Sequence, residues 1–325
     1  MPPSQTPRKT AGRVLVTGAT GFLGRAVGEA LVRAGHDVRL GARVAPAPAS
    51  ESEAWVGYGD VGPDTRWEEA LDGFGTVVHL AGLAHLPDEM AATAADTFHR
   101  VNAEGTARLA DAAAGAGVRR LILMSSALVH GQKSPGRPFM EDDAPAPETP
   151  YARSKLESEA RLEAAAAGSA LERVILRPPM VYGPGARGNF RRLVRLVRAG
   201  VPLPRGAATA PRSFIGLDNL ADAVVRCVEH PQAANQVFLV ADAETSSTVG
   251  LVRLIAAALG RRVWTPYVPP ALLGGALRVI GRERDVHRLF DPLELDTSRI
   301  RARLDWSPPL SVSEGVRRAV VDAGD

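Results

Sequence analysis

A run of β-branched and apolar residues at 13–17 passes directly into Gly18-Ala19-Thr20-Gly21-Phe22-Leu23-Gly24, which opens an apolar-periodic stretch at 23–34. Strand, glycine-rich turn and helix in immediate succession leave few folds open. Glycine is needed where a chain reverses tightly, where its backbone approaches a pyrophosphate, and where a helix packs closely on a strand. The first amides of such a helix face a negative charge. Turns use glycine constantly, so the triplet gains its meaning from the strand before it and the helix after it. Further apolar runs at 37–42, 55–60, 76–80, 121–125 and 173–177 alternate with helical stretches, among them 95–116 and 150–167. Buried, nearly all-apolar strands separated by helices predict a parallel sheet covered on both faces. The expected fold is α/β, a Rossmann-type doubly wound parallel sheet with a smaller mixed α/β C-terminal lobe.

The alternation loosens after Pro178, where proline- and glycine-rich turns surround helices expected at 189–199, 218–230 and 246–259. The organisation read from this is a disordered tail at 1–12 and a dinucleotide-binding domain at 13–178. A later segment near 213–217 is expected to complete its sheet, and 179–325 forms mainly a substrate lobe. One cysteine, Cys227, excludes an internal disulfide framework and a thiolate zinc cluster, and no metal is expected. A net charge of +3 is too balanced for a dedicated nucleic-acid binder. The N-terminus lacks the apolar core of a signal peptide, and the apolar stretch at 267–280 is too short to span a bilayer. A cytoplasmic protein that engages neither nucleic acid nor membrane is expected.

Of the 39 lysines and arginines only three are lysine: Lys9, Lys133 and Lys155. In so arginine-biased a chain, a lysine inside the folded region raises a chemical question. Lys155 stands four residues after Tyr151, so helical spacing puts phenol and ammonium on one face. A free tyrosine titrates near pH 10, and a neighbouring cation stabilises its phenolate. Lysine brings rotatable donors where arginine brings a rigid planar fork, so the two are not interchangeable here.

Together, glycines at 18, 21 and 24 and the Tyr-x-x-x-Lys pair resemble the short-chain dehydrogenase/reductase superfamily. TGATGFLG in particular resembles its extended branch, the NAD-dependent epimerase/dehydratase family. The resemblance reaches nearly the whole chain, including the closing Leu304-Asp305-Trp306-Ser307-Pro308-Pro309. It implies that Ser126, in a segment where His130 replaces the usual tyrosine, completes a catalytic group with Tyr151 and Lys155. It implies cofactor contacts from Gly18, Thr20, Gly21, Phe22 and Leu23 in the loop, and from Asp60 and Val61 at the adenine. Leu80, Ala81 and Gly82 would line the ribose and diphosphate. Asn102 would be the family's central asparagine, also among the cofactor contacts, and Pro178, Tyr151 and Lys155 would stand near the nicotinamide end. A nucleotide sugar would be held by Asn189 and Arg212 besides Ser126 and Tyr151, with Arg282, Arg284 or Arg288 as a further clamp. Relatives that use NAD carry an acid roughly 20 residues beyond the loop, on the ribose hydroxyls. Ala42 fills that place here, and Arg43 beside it suits a 2′-phosphate. NADP(H) is therefore the expected cofactor and NAD(H) the alternative. A homodimer built on the helices at 95–116 and 150–167 is also implied.

Within that family the 4,6-dehydratases need an acid pair after the catalytic hydroxyl, and Ala127 and Leu128 stand there instead. Epimerase-reductases of the GDP-fucose type use a cysteine and a histidine, but Cys227 falls in a distant helix. The expected reaction is NADPH-dependent reduction of the C4 ketone of a UDP-linked 4-keto-6-deoxy-hexosamine, a step in polysaccharide biosynthesis. The likeness is to bacterial UDP-2-acetamido-2,6-dideoxy-hexos-4-ulose 4-reductases. The alternative is a UDP-sugar 4-epimerase with bound NAD. A catalytically silent NADP-binding regulator ranks behind both, since such proteins typically lose the Tyr/Lys pair that this chain keeps.

Overall fold

The computed structural model describes residues 12–47, 54–84, 93–186, 188–202, 209–268 and 291–321. Its strands are β1 (Val14–Thr17), β2 (Val38–Ala42), β3 (Ala54–Gly57), β4 (Thr76–His79), β5 (Arg120–Met124), β6 (Glu172–Arg177), β7 (Met180–Tyr182), β8 (Pro211–Arg212), β9 (Phe214–Gly216), β10 (Gln236–Leu239) and β11 (Ser246–Ser247). Seven of them form one sheet in the order β10-β6-β5-β4-β1-β2-β3, every pair parallel. β1 lies at the reversal of strand order, with Val14 opposite both Val38 and Thr76. In open α/β sheets that reversal leaves a crevice beyond the strand ends, where ligands bind.

The edge strand corrects one expectation. The segment near 213–217 does not complete the sheet; β10 does, beside β6. β9 instead pairs with β7, and β11 with β8, in two-stranded ribbons. Both candidates are short apolar runs, and only the partner strand distinguishes them.

Each face of the sheet is covered. On one, α1 (Phe22–Arg33) and α7 (Leu217–Glu229) bury Val27, Leu31, Leu220 and Val224 with Val16, Val78 and Trp306. On the other, α4 (Gly105–Gly115) and α5 (Pro150–Ala166) bury Leu109 and Leu162 with Leu121, Leu123 and Trp67. Each such aliphatic side chain contributes about 1.5–3 kcal/mol. A third apolar cluster joins α6 (Asn189–Arg198) and α8 (Thr248–Ala258) to Tyr182 and Val316. Cys227 is buried in the first cluster, and burial pushes its thiol up to about 12. Such a thiol is chemically inert.

The expected helix at 95–116 is not continuous. α3 (Ala94–Phe98) leads into a π-helical turn at His99–Glu104 before α4 begins. Wide turns of this kind occur disproportionately at functional sites, and Asn102 lies in this one. No helix among the described residues is long and apolar enough to cross a membrane.

Candidate active site

Three strand ends and one helix build the crevice floor. Gly18 follows β1 with φ +68, and a Cβ there would lie 2.7 Å from the Ala81 nitrogen in the turn after β4. Gly24 is tighter: its Cβ would meet the Gly18 oxygen at 2.1 Å. Only glycine lets the first turn of α1 press on the end of β1. α1 has Gly21 at its N-cap, no side-chain cap and no acid in its first turn, so its leading amides are left for an anion. Thr20 and Gly21 are exposed at this turn, and Phe22 and Leu23 are half-buried. Such a cradle fits a dinucleotide's diphosphate.

Around it the backbone is pinned. Thr17 Oγ1 lies 2.8 Å from His79 Nδ1 and accepts from the Leu80 and Ala81 amides, both at 3.2 Å. Burial, helped by the charge of Lys155, pulls His79 down to about 3, so this histidine is a neutral strut. Gly18 N–H donates to the Tyr58 hydroxyl at 2.9 Å. Beyond the end of β2, Arg43 is exposed and lies 3.3 Å from Asp60 Oδ1, which is exposed as well. Val61 beside it is half-buried. Ala42, where an acid would chelate a ribose, is buried.

Asn102 is buried and spans three elements. Its Oδ1 accepts from the Leu83 amide at 2.8 Å, and its Nδ2 donates to the Leu83 carbonyl and to Ser154 Oγ, both at 3.0 Å. Its own carbonyl accepts from the Ser158 hydroxyl at 2.9 Å. The π turn thus fastens the loop after β4 to α5. Gly82 sits in that loop, where a Cβ would lie 2.8 Å from Asn102 Oδ1 and 3.6 Å from Lys155 Nζ.

Ser126, Tyr151 and Lys155 converge here. α5 starts with Thr149 as N-cap, its side chain accepting from the Ala152 amide, and Pro150 in the first turn. That cap fixes where Tyr151 enters, one turn before Lys155. Phe98 meets the Tyr151 ring edge-on at 5.7 Å. Ser126 caps the short 3₁₀ turn Ala127–His130, its Oγ accepting from the Leu128 amide at 3.2 Å. The Ser126 hydroxyl also faces the Tyr151 phenol and favours its ionised form, yet burial holds Tyr151 above the usual tyrosine value. Lys155 Nζ donates to the Met124 carbonyl at 2.9 Å, and burial brings the ammonium down to about 8. The net upward direction at Tyr151 is opposite to what a lysine acting alone would give. In this chain the ammonium is committed to the strand end.

The remaining expectations fall nearby or elsewhere. Pro178 is buried, and its carbonyl accepts from the Ala127 amide at 2.9 Å. Asn189 is exposed at the start of α6, behind Gly188 with φ 70. Arg212 is largely enclosed, donates to the Asp291 carbonyl, and is pulled down to about 10 by burial. Among the described residues no hydrogen bond joins Asn189 or Arg212 to Ser126, Tyr151 or Lys155. Arg282, Arg284 and Arg288 lie outside the described residues. No group of three or more His, Cys, Asp or Glu among the described residues could hold a metal ion.

Sequence reasoning missed a buried ion pair behind the catalytic group. Arg177, at the end of β6, donates from Nε to Glu159 Oε1 at 3.0 Å and from Nη2 to Oε2 at 2.5 Å. Glu159 stands one turn after Lys155. The hydroxyl of Ser125, the residue before Ser126, donates to Glu159. The signal was present as an acid four residues beyond the lysine, on its face of the helix.

Residues 14–241 match the model of the NAD dependent epimerase/dehydratase family. A UDP-glucose 4-epimerase of Vibrio cholerae is 38% identical over 313 residues, covering 96% of this chain and 95% of that protein. A 3-diazoavenalumate denitrifying reductase of Streptomyces is 33% identical over 311 residues, covering 91% and 96%. The structure of MoeE5 in complex with UDP-glucose and NAD superposes with a TM-score of 0.77 at 28% identity, over 96% of this chain and 98% of that one.

Proposed function

The chain belongs to the NAD dependent epimerase/dehydratase family, and on that premise we propose that it is a UDP-sugar 4-epimerase working with a tightly held nicotinamide dinucleotide. The observation that carries this reading is the Ser126–Tyr151–Lys155 group, with apolar Ala127 and Leu128 where a dehydratase needs acids. Full-length similarity to the Vibrio cholerae UDP-glucose 4-epimerase supports it.

Bound in the crevice, the nicotinamide supplies the hydride acceptor and donor at C4 and, in its oxidised form, a positive charge that favours the Tyr151 phenolate. Gly18, Thr20, Gly21, Phe22 and Leu23 would hold its diphosphate, and Gly82, Asn102 and Pro178 would shape the far end. Tyr151 takes the proton of the C4 hydroxyl and returns it once the sugar presents its other face. Ser126 donates a hydrogen bond to the same oxygen, which is most useful while charge develops on it. Lys155 fixes the strand end that carries Ser126. Asn189 and Arg212 would take the nucleotide diphosphate.

A second reading, NADPH-dependent reduction of a UDP-linked 4-keto sugar, is favoured by Ala42 and Arg43 at the end of β2. The two readings share the proton chemistry and differ in whether the reduced cofactor leaves. The test incubates the protein as purified with UDP-glucose and with UDP-N-acetylglucosamine, without added cofactor, and measures the 4-epimers by NMR. Conversion to a mixture of epimers supports the first reading. No conversion, together with NADPH oxidation by a UDP-4-keto-6-deoxy sugar, replaces it with the second.

A further inference from the structure

Two elements grip the end of β5 at successive residues. Lys155 holds the Met124 carbonyl at 2.9 Å, and Glu159, one turn along α5, receives the Ser125 hydroxyl. The next residue is Ser126. From the other side β6 continues the grip: Ser125 N–H donates to Leu176 O at 2.8 Å, and Ala127 N–H to Pro178 O at 2.9 Å. Arg177 lies between Leu176 and Pro178 and closes on Glu159 through two hydrogen bonds. Both members of that pair are buried, Glu159 with 5% and Arg177 with 6% of its surface exposed.

Burying a carboxylate and a guanidinium costs several kcal/mol per ion before their attraction is counted. An apolar pair would fill the space with less penalty. The remaining bonds of Arg177 go to neutral acceptors, His130 Nε2 at 2.9 Å and the Glu141 carbonyl at 3.2 Å. His130 itself is held near 4 by burial and by Arg177, so it adds no charge near neutrality.

We propose that Glu159 is a positioning residue: clamped by Arg177, its carboxylate fixes Ser126 through Ser125 and stands one helical turn behind Lys155. The charged and titratable groups around these two side chains are few. α5 carries Tyr151, Lys155 and Glu159, β4 carries His79, and β6 carries Arg177. Of these, His79 is neutral and Tyr151 protonated. Glu159 is the group that offsets the burial acting on the Lys155 ammonium.

The assignment to a catalytic group rests on the proposed function, so the decisive measurement needs no sugar. A chain with three lysines, labelled with [ε-13C]lysine, gives three side-chain signals, and Lys155 is identified by its loss in Lys155→Met. In the wild type that signal is expected to titrate near pH 8. Glu159→Gln keeps the shape and removes the charge, and it lowers the midpoint by about one unit. Ser125→Ala leaves the midpoint in place and lowers kcat severalfold with little change in KM, because the charge remains and the strand end loosens. Should Glu159→Gln fail to fold, the paired change Glu159→Gln with Arg177→Met removes both buried charges, which proteins tolerate better than removal of one, and the Lys155 midpoint is then compared with that of Arg177→Met alone, below which it should fall. An unmoved Lys155 midpoint in the folded variant overturns the proposal and leaves the pair as a structural pin. A shifted midpoint with no turnover of any UDP-sugar keeps the electrostatic coupling and rejects the epimerase reading instead.

Discussion

Lys155 Nζ and the Met124 carbonyl are joined at 2.9 Å, so the ammonium is tied to the strand that delivers Ser126. An arginine at 155 would carry the charge on a longer planar fork that cannot make the same single bond without displacing β5. Lys155→Arg is expected to lower kcat by about 10²-fold, within the range of a lost acid–base partner. Tyr151→Phe should lower it by at least about 10³-fold. Steady-state epimerisation rates measure both, and rates for Lys155→Arg equal to wild type would refute the geometric argument.

The same lysine costs stability. Its folded value of about 8 lies below the ordinary 10.5, so between those pH values the unfolded chain binds more protons and stability rises with pH. Below pH 8 the charged ammonium is held in a desolvating place at full cost. Lys155→Met is therefore expected to be more stable than wild type near pH 7, by about 1 kcal/mol once partial exposure is allowed for. The gap should close as pH approaches 10.5. Thermal midpoints at pH 7, 8.5 and 10 test this.

His130 acts at the other end of the scale. Its folded value of about 4 lies below the ordinary 6.5, so its contribution is intact above pH 6.5 and lost as pH falls toward 4. His79 works in the same direction, toward about 3. His130→Phe keeps a ring against Phe139, where the present rings stack at 5.3 Å, and removes the protonation. Its melting temperature should fall less steeply than that of wild type between pH 6.5 and 4.5.

Beyond the end of β2, Arg43 and its partner Asp60 are exposed. Arg43→Ala should weaken NADP(H) by about tenfold, the value of a charge-assisted hydrogen bond, and leave NAD(H) nearly unchanged. Ala42→Asp should do the reverse by offering the ribose hydroxyls an acceptor. Dissociation constants for both dinucleotides decide it. An equal loss for both in Arg43→Ala would remove the arginine from any role at a 2′-phosphate.

Asn102 is the brace among these residues. Asn102→Ala would leave the Leu83 amide and carbonyl without their partner, at about 1–3 kcal/mol. Both the melting temperature and kcat should drop. Asn102→Asp keeps the acceptor but loses the donor to Leu83 and Ser154, so it should fall between wild type and alanine.

The sheet and the Tyr151–Lys155 pair were legible because periodicity and spacing are local properties, whereas Ser126 was singled out only by the family resemblance. Strand runs at 13–17 and 76–80 are rich in β-branched and apolar residues, and a Tyr-x-x-x-Lys pair needs only a helix to bring it together. What stayed hidden depends on distant parts of the chain. Asn102 in an Ala-rich helix gave no sign of a π turn, since the wider turn is stabilised by Leu83, Ser154 and Ser158. Glu159 is one of several acids in its helix, and what buries it is Arg177, which reaches it from β6. Ser125 and Ser126 are identical in sequence terms, and only the strand's pleat sends one to Glu159 and the other toward Tyr151.

The edge strand limits how this molecule can be divided. β6 finishes at Arg177, and its outer neighbour β10 is supplied by Gln236–Leu239, after the chain has built the β7–β9 ribbon, α6 and α7. Later still, Trp306 returns to the α7 side and donates from its indole nitrogen to Asp222 at 2.8 Å. A fragment ending at residue 178 would leave the β6 edge unpaired and the apolar surface beneath α7 bare, a template for self-association. Residues 13–178 therefore do not close the sheet and its core by themselves: the edge strand β10 and the Trp306 side of the α7 cluster come from the second half.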